Sequence, residues 1–289
     1  MSVAPLLALL SSLLWGCGDF LGGISTRRVG ALRVIAVSYP VGCVVLLFCA
    51  LFVIPGTIDG ATVWWSLVVG IAGILAMYMF YLTLAVGPMG ILSPITAVLS
   101  AGIPVVAGIV LGESLNTLAI IGILVAGLAI VLVSLEFGAE RSVTAKGLAY
   151  AITAGTLIGV YMTGVGLSPD NSGLWVVTLG RIIGAALALV VAAVVILGLR
   201  NRRQESSATA PVSYPWLAVI AVGVLDSTAN GVFQVAVRMD ALAIVAVLAS
   251  LYPAATVVLA RYFLAERMSR LQVAGVGLAL VAAAALSVS

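Results

Sequence analysis

The sequence predicts an all-α polytopic membrane protein, with ten transmembrane helices arranged as two inverted five-helix repeats. Composition, the length of the apolar runs and an internal repeat together predict this fold. Of the 289 residues, 63% are hydrophobic and only 8% are charged, whereas a soluble domain carries about 25% charged residues. So few polar side chains cannot cover a surface in water, and the same composition excludes a disordered chain. The predicted surroundings are therefore a lipid bilayer.

The apolar runs of the first half predict five helices. A membrane-spanning helix needs about 20 apolar residues, and a helix satisfies its own backbone groups in hydrocarbon. A transmembrane barrel would alternate in polarity, which these runs do not. The first run lacks a basic segment and a small-residue cleavage site, so it is predicted to be a retained helix. The predicted spans are residues 5–23, 32–53, 63–85, 91–111 and 118–135.

The second half predicts five further spans by the same criteria. Gly, Pro or charged residues separate them, and the spans are residues 147–167, 174–197, 214–237, 242–264 and 271–287. The longest connection, residues 200–213, is rich in Arg, Ser and Ala and is predicted to be a mobile surface loop. Residues 136–146 form the predicted centre, which divides the chain into repeats 1–140 and 141–289.

An internal repeat supports this division. Residues 85–136 align without gaps on residues 238–289, which superposes Leu111, Glu113, Leu118, Gly122 and Ala126 on Leu264, Glu266, Leu271, Gly275 and Ala279. The paired glutamates carry the most weight, because each lies in the same short turn between two apolar runs. They are predicted to accept hydrogen bonds from the amides that open the next helix. Each repeat crosses the membrane five times, which is an odd number. The second repeat therefore has the opposite orientation in the membrane, as is typical of transporters.

Basic residues predict the orientation of the chain. The connections after the odd-numbered helices hold Arg27, Arg28, Arg33, Arg141, Lys146, Arg200, Arg202, Arg203, Arg267 and Arg270, whereas those after the even-numbered helices hold only Arg238. Cytoplasmic loops carry the excess of Lys and Arg. This count therefore places the odd connections in the cytoplasm and both termini outside.

Several classes of function are excluded or disfavoured. Histidine is absent, which removes the commonest general base and metal ligand. Cys17, Cys43 and Cys49 lie inside apolar runs and are interpreted as small buried residues. No metal site, cofactor or enzyme activity is therefore predicted. The net charge of +3 comes from arginines that flank the membrane, so nucleic acid is not a predicted partner. The sequence contains no nucleotide-binding P-loop motif, so ATP is not predicted to be used.

Three stretches of the sequence resemble the drug/metabolite transporter superfamily, EamA type. They read SSLLWGCGDFLGG, PMGILSPITAVLSAGIPVVAGIVLGE and SLYPAATVVLARYFLAERMSRLQVAGVGLAL. The resemblance covers the whole chain and implies ten helices around a central cavity. It also implies a multi-pass exporter of amino acids, other metabolites or drugs in the cell membrane, with both termini inside. That orientation differs from the one predicted by the charge count.

Polar residues inside predicted spans are the candidates for a functional site, because ionisable groups are costly there. Asp226, Asn230 and Gln234 are spaced i, i+4, i+8 and share one helix face. They are interpreted as a polar wall of the substrate path, with Asp226 as a cation or proton site. The alternative is that they fix helix packing through hydrogen bonds.

Two further ionisable residues are candidates. Asp19 shares a helix face with Trp15, whose ring could stack on an aromatic or cationic substrate. The alternative is an interfacial Asp near the arginines that follow helix 1. Arg181 could bind a substrate carboxylate through two parallel hydrogen bonds, or it could pair with Asp19 or Asp226. A fixed pair would make that Asp unavailable as a proton carrier.

Prolines and aromatic residues complete the candidate site. Pro94, Pro104 and Pro253 lie in helices 4 and 9, where each removes a backbone donor and bends its helix. Broken helices in the two repeats indicate the binding site of transporters, so Ser100 and Tyr252 are predicted to line the same region. Further candidate cavity aromatics, which could instead belong to the interfacial belts, are Tyr78, Tyr81, Tyr150 and Tyr161.

These observations predict a secondary-active transporter that exports a small molecule by alternating access through a central cavity. Protons are a candidate coupling ion, with Asp226 as the first choice of carrier and Asp19 as the second. A channel or facilitator and a non-transporting membrane scaffold are the alternatives. A channel would show rings of like charge or a filter loop, and neither is visible in the sequence.

Overall fold

The fold was obtained as a computed structural model, which describes residues 3–86, 89–134, 144–202, 216–263 and 268–289. Its helices in chain order are α1 (Ala4–Val29), α2 (Ala31–Phe52), α3 (Gly60–Val86), α4 (Met89–Val110), α5 (Thr117–Ser134), α6 (Ala145–Gly166), α7 (Trp175–Arg202), α8 (Trp216–Val237), α9 (Leu242–Ala249), α10 (Tyr252–Phe263) and α11 (Arg270–Ser287). A 3-10 turn, Asp170–Ser172, lies between α6 and α7. The predicted repeat boundary, most of the predicted mobile loop and Glu266 lie outside the described residues.

The predicted ten-span, all-α membrane fold is confirmed. In the described ranges, eight spans are long and apolar enough to cross a membrane, and one of them, Leu242–Phe263, comprises α9 and α10. The shorter apolar segments Ile95–Val110 and Thr117–Val133 lie in α4 and α5 and complete the ten. Large apolar side chains such as Leu217 and Phe263 stay exposed, which is expected of a surface that faces lipid.

The ninth span is broken near Pro253, where the sequence predicted a single span, residues 242–264, bent by this proline. α9 ends at Ala249 and α10 begins at Tyr252. Pro253 has no amide hydrogen, so it cannot donate to the carbonyl group four residues before it. The chain instead makes tighter bonds, from the Leu251 amide to the Leu248 carbonyl and from the Ala254 amide to the Leu251 carbonyl. By contrast, α4 runs unbroken through Pro104.

The helix interfaces occur in pairs that the inverted repeat relates. α1 packs along α8, and its counterpart α6 packs along α3. Likewise, α2 packs on α8 and α7 on α3, while α1 packs on α9 and α10 and α6 on α4. The self-related pairs are α2 with α7 and α5 with α11. All of these extensive interfaces join a helix of the first half, α1 to α5, to a helix of the second half, α6 to α11.

Glycines permit the closest of these approaches. A Cβ atom on Gly155 of α6 would lie 2.6 Å from the Thr96 carbonyl oxygen on α4. At the related helix interface, a Cβ atom on Gly16 of α1 would lie 2.7 Å from the Tyr252 carbonyl oxygen on α10. Both distances are too short for a side chain, so small residues set the backbone spacing here, as they do in other membrane bundles.

Candidate functional site

A cavity of about 90 Å³ lies between the two halves, bounded by α1, α2 and α3 of the first half and by α6, α7, α8 and α10 of the second. In the described part of the chain, three charged side chains and five aromatic side chains line it, together with small and aliphatic residues. The charged and aromatic residues are Asp19, Arg181, Asp226, Trp15, Tyr39, Phe80, Tyr161 and Tyr252. The cavity therefore combines apolar walls with a few polar groups, which is typical of a small-molecule site.

An ion pair occupies the middle of the cavity wall. Asp226 lies midway along α8, and its carboxylate accepts a hydrogen bond from the Arg181 guanidinium on α7. Both residues are only 7% exposed. The guanidinium carbon also lies 4.3 Å from the centroid of the Tyr39 ring on α2, within the range of a cation–π contact. Arg181 is thus held by a carboxylate and by an aromatic face.

Asn230 extends this polar wall by one helical turn. Its side-chain amide donates to the backbone carbonyl of Asp226 at 2.7 Å, and its side-chain oxygen accepts from the Tyr161 hydroxyl at 2.8 Å. Tyr161 is on α6, so this bond links two helices of the second half. The amide is therefore oriented by its neighbours on the cavity wall.

Asp19 faces the same cavity from α1. Among the described residues, no hydrogen bond or ion pair ends on Asp19, and Asp226 lies close enough to act on it as a like charge. Trp15, one turn earlier on α1, also lines the cavity and contacts the Phe233 ring with a centroid distance of 5.5 Å. Among the described residues, Asp19 is thus the charged group of this cavity for which no partner of opposite charge is found.

The third member of the predicted polar stripe lies elsewhere. Gln234 is two turns beyond Asp226 and does not line the cavity. Its side-chain oxygen accepts from the Val177 amide at 3.2 Å, and its side-chain nitrogen donates to the Gly173 carbonyl at 2.7 Å. Gln234 thereby satisfies backbone groups at the start of α7. The predicted polar stripe therefore has two parts: Asp226 and Asn230 line the cavity, and Gln234 stabilises helix packing.

The remaining predicted site residues differ in position. Tyr252 lines the cavity at the start of α10, and the Ser100 side chain lies near its hydroxyl. Ser100 is buried behind it, and its hydroxyl donates to the Ala97 carbonyl. Tyr81 is buried beside Gly22 of α1, and Tyr78 is 36% exposed. Neither tyrosine lines the cavity.

The loops between α2 and α3, α4 and α5, α6 and α7, and α8 and α9 lie on one face, hereafter the even-loop face. Charged residues on this face form hydrogen bonds that connect loops and helix ends. The Glu113 carboxylate accepts from the amides of Leu242 and Ala243 at 2.7 and 3.0 Å, so it caps α9. Sequence analysis predicted that Glu113 would cap the next helix in the chain; that was wrong, because the side chain of Asn116 caps α5.

Two further contacts connect loops on this face. The Arg238 guanidinium donates to the Ser168 carbonyl at 2.5 Å and to the Asp170 carboxylate at 3.2 Å. Partial burial lowers the pKa of Arg238, and the Asp170 charge opposes that change. At the start of α3, the Thr62 amide donates to the Asp59 carboxylate at 2.7 Å and lowers the pKa of Asp59.

Two aromatic residues of the described cavity wall were not singled out from the sequence. Tyr39 supports Arg181, and Phe80 forms part of the wall. A signal existed for Tyr39, because it lies well inside the predicted second span, the same criterion of depth that selected Asp226. Phe80 is one aromatic residue in an apolar run, and nothing in the sequence distinguishes it. Within the described ranges, no group of three or more His, Cys, Asp or Glu side chains could hold a metal ion.

The sequence model of the EamA-like transporter family matches residues 2–135 and 145–288. The chain belongs to the EamA-like transporter family. The two matched segments lie on either side of the predicted division between residues 140 and 141. This EamA-like chain is accordingly a multi-pass membrane transporter of the drug/metabolite transporter superfamily, as its resemblance implied.

One solved structure, described only as "Crystal structure of protein", superposes on this EamA-like chain with a TM-score of 0.75. The match covers 99% of this chain and 98% of the other, at 21% sequence identity. At that identity the likeness shows the fold alone. No curated protein sequence matches the chain at a significant level.

Proposed function

We propose that this protein is a secondary-active carrier that exports a small metabolite, amino acid or drug across the cell membrane by alternating access. The observation that carries the proposal is the charged cavity between the two halves, with Asp19 contributed by one half and the Arg181–Asp226 pair by the other. Ionisable groups inside a membrane are costly and commonly mark a transport path.

The packing of the halves supports alternating access. The extensive helix interfaces join one half to the other, and the cavity lies between the halves. A relative rotation of the two repeats therefore changes the access to the cavity, as in other inverted-repeat carriers. On the even-loop face, the contacts of Glu113 and Arg238 hold loops and helix ends together. This face is the proposed closed side in the present conformation.

The ion pair changes the proposed role of Asp226. Its carboxylate is held by Arg181, so a proton could bind only at the expense of the ion pair. We assign to Asp226 the role of orienting Arg181 in the cavity wall. In this proposal, Asp226, Asn230, Arg181, Asp19, Trp15 and Tyr252 contact the solute, whereas Gln234, Ser100, Tyr78 and Tyr81 support the surrounding helices.

Counter-flow in proteoliposomes tests the proposal. Vesicles loaded with unlabelled solute are given the radiolabelled form, with a panel of amino acids, nucleobases, sugars and cationic drugs. The Asp226→Asn variant is expected to lower exchange by at least about tenfold. The matched control is Asp170→Asn, because Asp170 lies outside the cavity and its side chain is 95% exposed.

Other outcomes contradict the proposal in different ways. A channel is indicated if solute on the opposite side does not stimulate the flux and the electrical current far exceeds a carrier's turnover. No flux of any solute class indicates a scaffold. If the Asp226→Asn variant keeps exchange but loses the pH response of transport, Asp226 is the proton carrier and the role assigned here is wrong.

A further inference from the structure

We infer that the cavity selects organic cations, and that Asp19 binds the ammonium group of the transported solute. This inference rests on the proposed carrier function and names the substrate class of the same site.

With Asp19 ionised, the described side chains that line the cavity carry a net negative charge. The charged ones are Asp19, Asp226 and Arg181, and the tyrosines of the wall are neutral near pH 7. The ion pair uses the charges of Asp226 and Arg181, which leaves the charge of Asp19 without compensation. In a poorly hydrated cavity an unpaired carboxylate is costly and takes up a proton when no counter-charge is present. A positively charged solute supplies that counter-charge, so it is favoured over a negative one.

Arg181 is poorly available to an anion. Its guanidinium already donates to Asp226 and lies over the ring of Tyr39. A solute carboxylate would have to displace Asp226, which would leave an unpaired carboxylate in addition to Asp19. A zwitterion is disfavoured for the same reason, since its ammonium group gains from Asp19 while its carboxylate meets no free cation among the described residues that line the cavity.

The surroundings of Asp19 suit an ammonium group. No hydrogen bond or ion pair in the described part of the chain engages its carboxylate, so its oxygens are free to accept from N–H donors. Aromatic rings stand beside it, because Trp15 precedes it by one turn and Tyr252 shares the cavity. Aromatic faces attract cations, so the carboxylate and the rings recognise the same solute charge.

The size of the cavity limits the cation. Its volume is about 90 Å³, whereas a cavity of about 150 Å³ holds one benzene ring. The present conformation therefore accommodates a small amine, and a ring-bearing amine requires the wall to open. This prediction separates the effect of charge from that of size.

Two matched series of solutes test the inference in the full-length protein. The first is alanine, ethylamine and propionate, and the second is phenylalanine, phenethylamine and phenylpropionate. Each series contains a zwitterion, a cation and an anion on one carbon skeleton. In counter-flow, the cation of at least one series is expected to exchange at least about tenfold better than its partners. A preference for the zwitterion or the anion would overturn the inference while leaving the carrier proposal intact.

Variants of Asp19 locate the selectivity. Asp19→Asn is expected to lower exchange of the amine by at least about tenfold, and Asp19→Glu, which retains the charge, to preserve much of it. Counter-flow requires no net proton movement, so loss of a carboxylate that carried only a proton would leave exchange intact. Unchanged exchange in a folded Asp19→Asn protein therefore contradicts the inference.

A binding measurement separates failure of the inference from failure of the carrier. The same six solutes are added to the purified wild-type protein in detergent, and the rise in melting temperature is recorded. A rise with the amines alone, without counter-flow of any solute, would support the inferred site and contradict transport. If no solute raises the melting temperature and none exchanges, both the inference and the proposed function fail.

Discussion

The cavity and the even-loop face both bury charged side chains, but their partners differ. In the cavity, Arg181 meets a carboxylate and an aromatic ring, and Asp19 meets no partner within the described residues. On the even-loop face, Glu113 accepts from backbone amides and Arg238 donates to a backbone carbonyl. Charges that complete the backbone bonding of helix ends hold the fold, whereas in the proposed carrier the charge of Asp19 is available to a solute. The kind of partner, more than the depth of the residue, distinguishes these roles.

The largest expected effect comes from the ion pair. Arg181→Met leaves Asp226 buried without its cation, and removal of one partner from a buried pair costs about 3–5 kcal/mol. We expect a large fall in the melting temperature in detergent and loss of counter-flow. Changing Asp226→Leu in the same protein should restore most of the stability but none of the transport. If the double variant recovers both, the pair only supports the fold and the distinction between the two regions fails.

A smaller effect is expected on the even-loop face. Glu113→Ala removes both hydrogen bonds to the start of α9, and replacing a side chain that caps a helix N-terminus by Ala costs about 0.5–2 kcal/mol. We expect the free energy of unfolding to fall by about 2 kcal/mol, with little change in the affinity of solutes. Asp170→Ala is the control on the same face, because exposed ion pairs contribute at most about 1 kcal/mol. A weaker solute affinity in Glu113→Ala would show that the face also shapes the cavity.

The smallest expected effect separates two neighbours on α8. Gln234→Leu leaves the Val177 amide without its acceptor, at a cost of about 1–2 kcal/mol in stability, and solute affinity should not change. Asn230→Leu should instead weaken solute binding, because Asn230 lines the cavity. Melting temperatures and binding isotherms of the two variants check this prediction. Equal effects of the two variants on solute binding would indicate that Gln234 also belongs to the substrate path.

The fold followed from the sequence because the physics of the membrane is restrictive. Long apolar runs can only be helices in hydrocarbon, so the ten spans could be placed from composition alone. The sequence predicted bends at both Pro104 and Pro253, but it could not show which bend becomes a break in the helix. Pro104 and Pro253 look alike in sequence, yet α4 continues and the ninth span does not. The surrounding helices decide whether a missing hydrogen bond breaks a helix.

The candidate site was harder to predict because one face of a helix contacts different neighbouring helices at different depths in the membrane. Asp226 and Gln234 share a face of α8, but the first meets the cavity and the second meets the start of α7. Spacing along one helix cannot show which neighbour stands at each depth. For the same reason, the sequence left Arg181 with two possible partners, Asp19 and Asp226, and the packing of α7 on its neighbours was needed to show that Asp226 is the one.

The interfaces between the halves have a consequence for synthesis. The extensive helix contacts all cross from the first half to the second, and even α5 packs along α11, where Gly122 meets Leu286. When the ribosome has completed the first five helices, the surfaces that will form the centre of the molecule still face lipid or the insertion machinery. The fold therefore cannot accumulate stepwise from the N-terminus, and assembly is completed only after the final helix has been made.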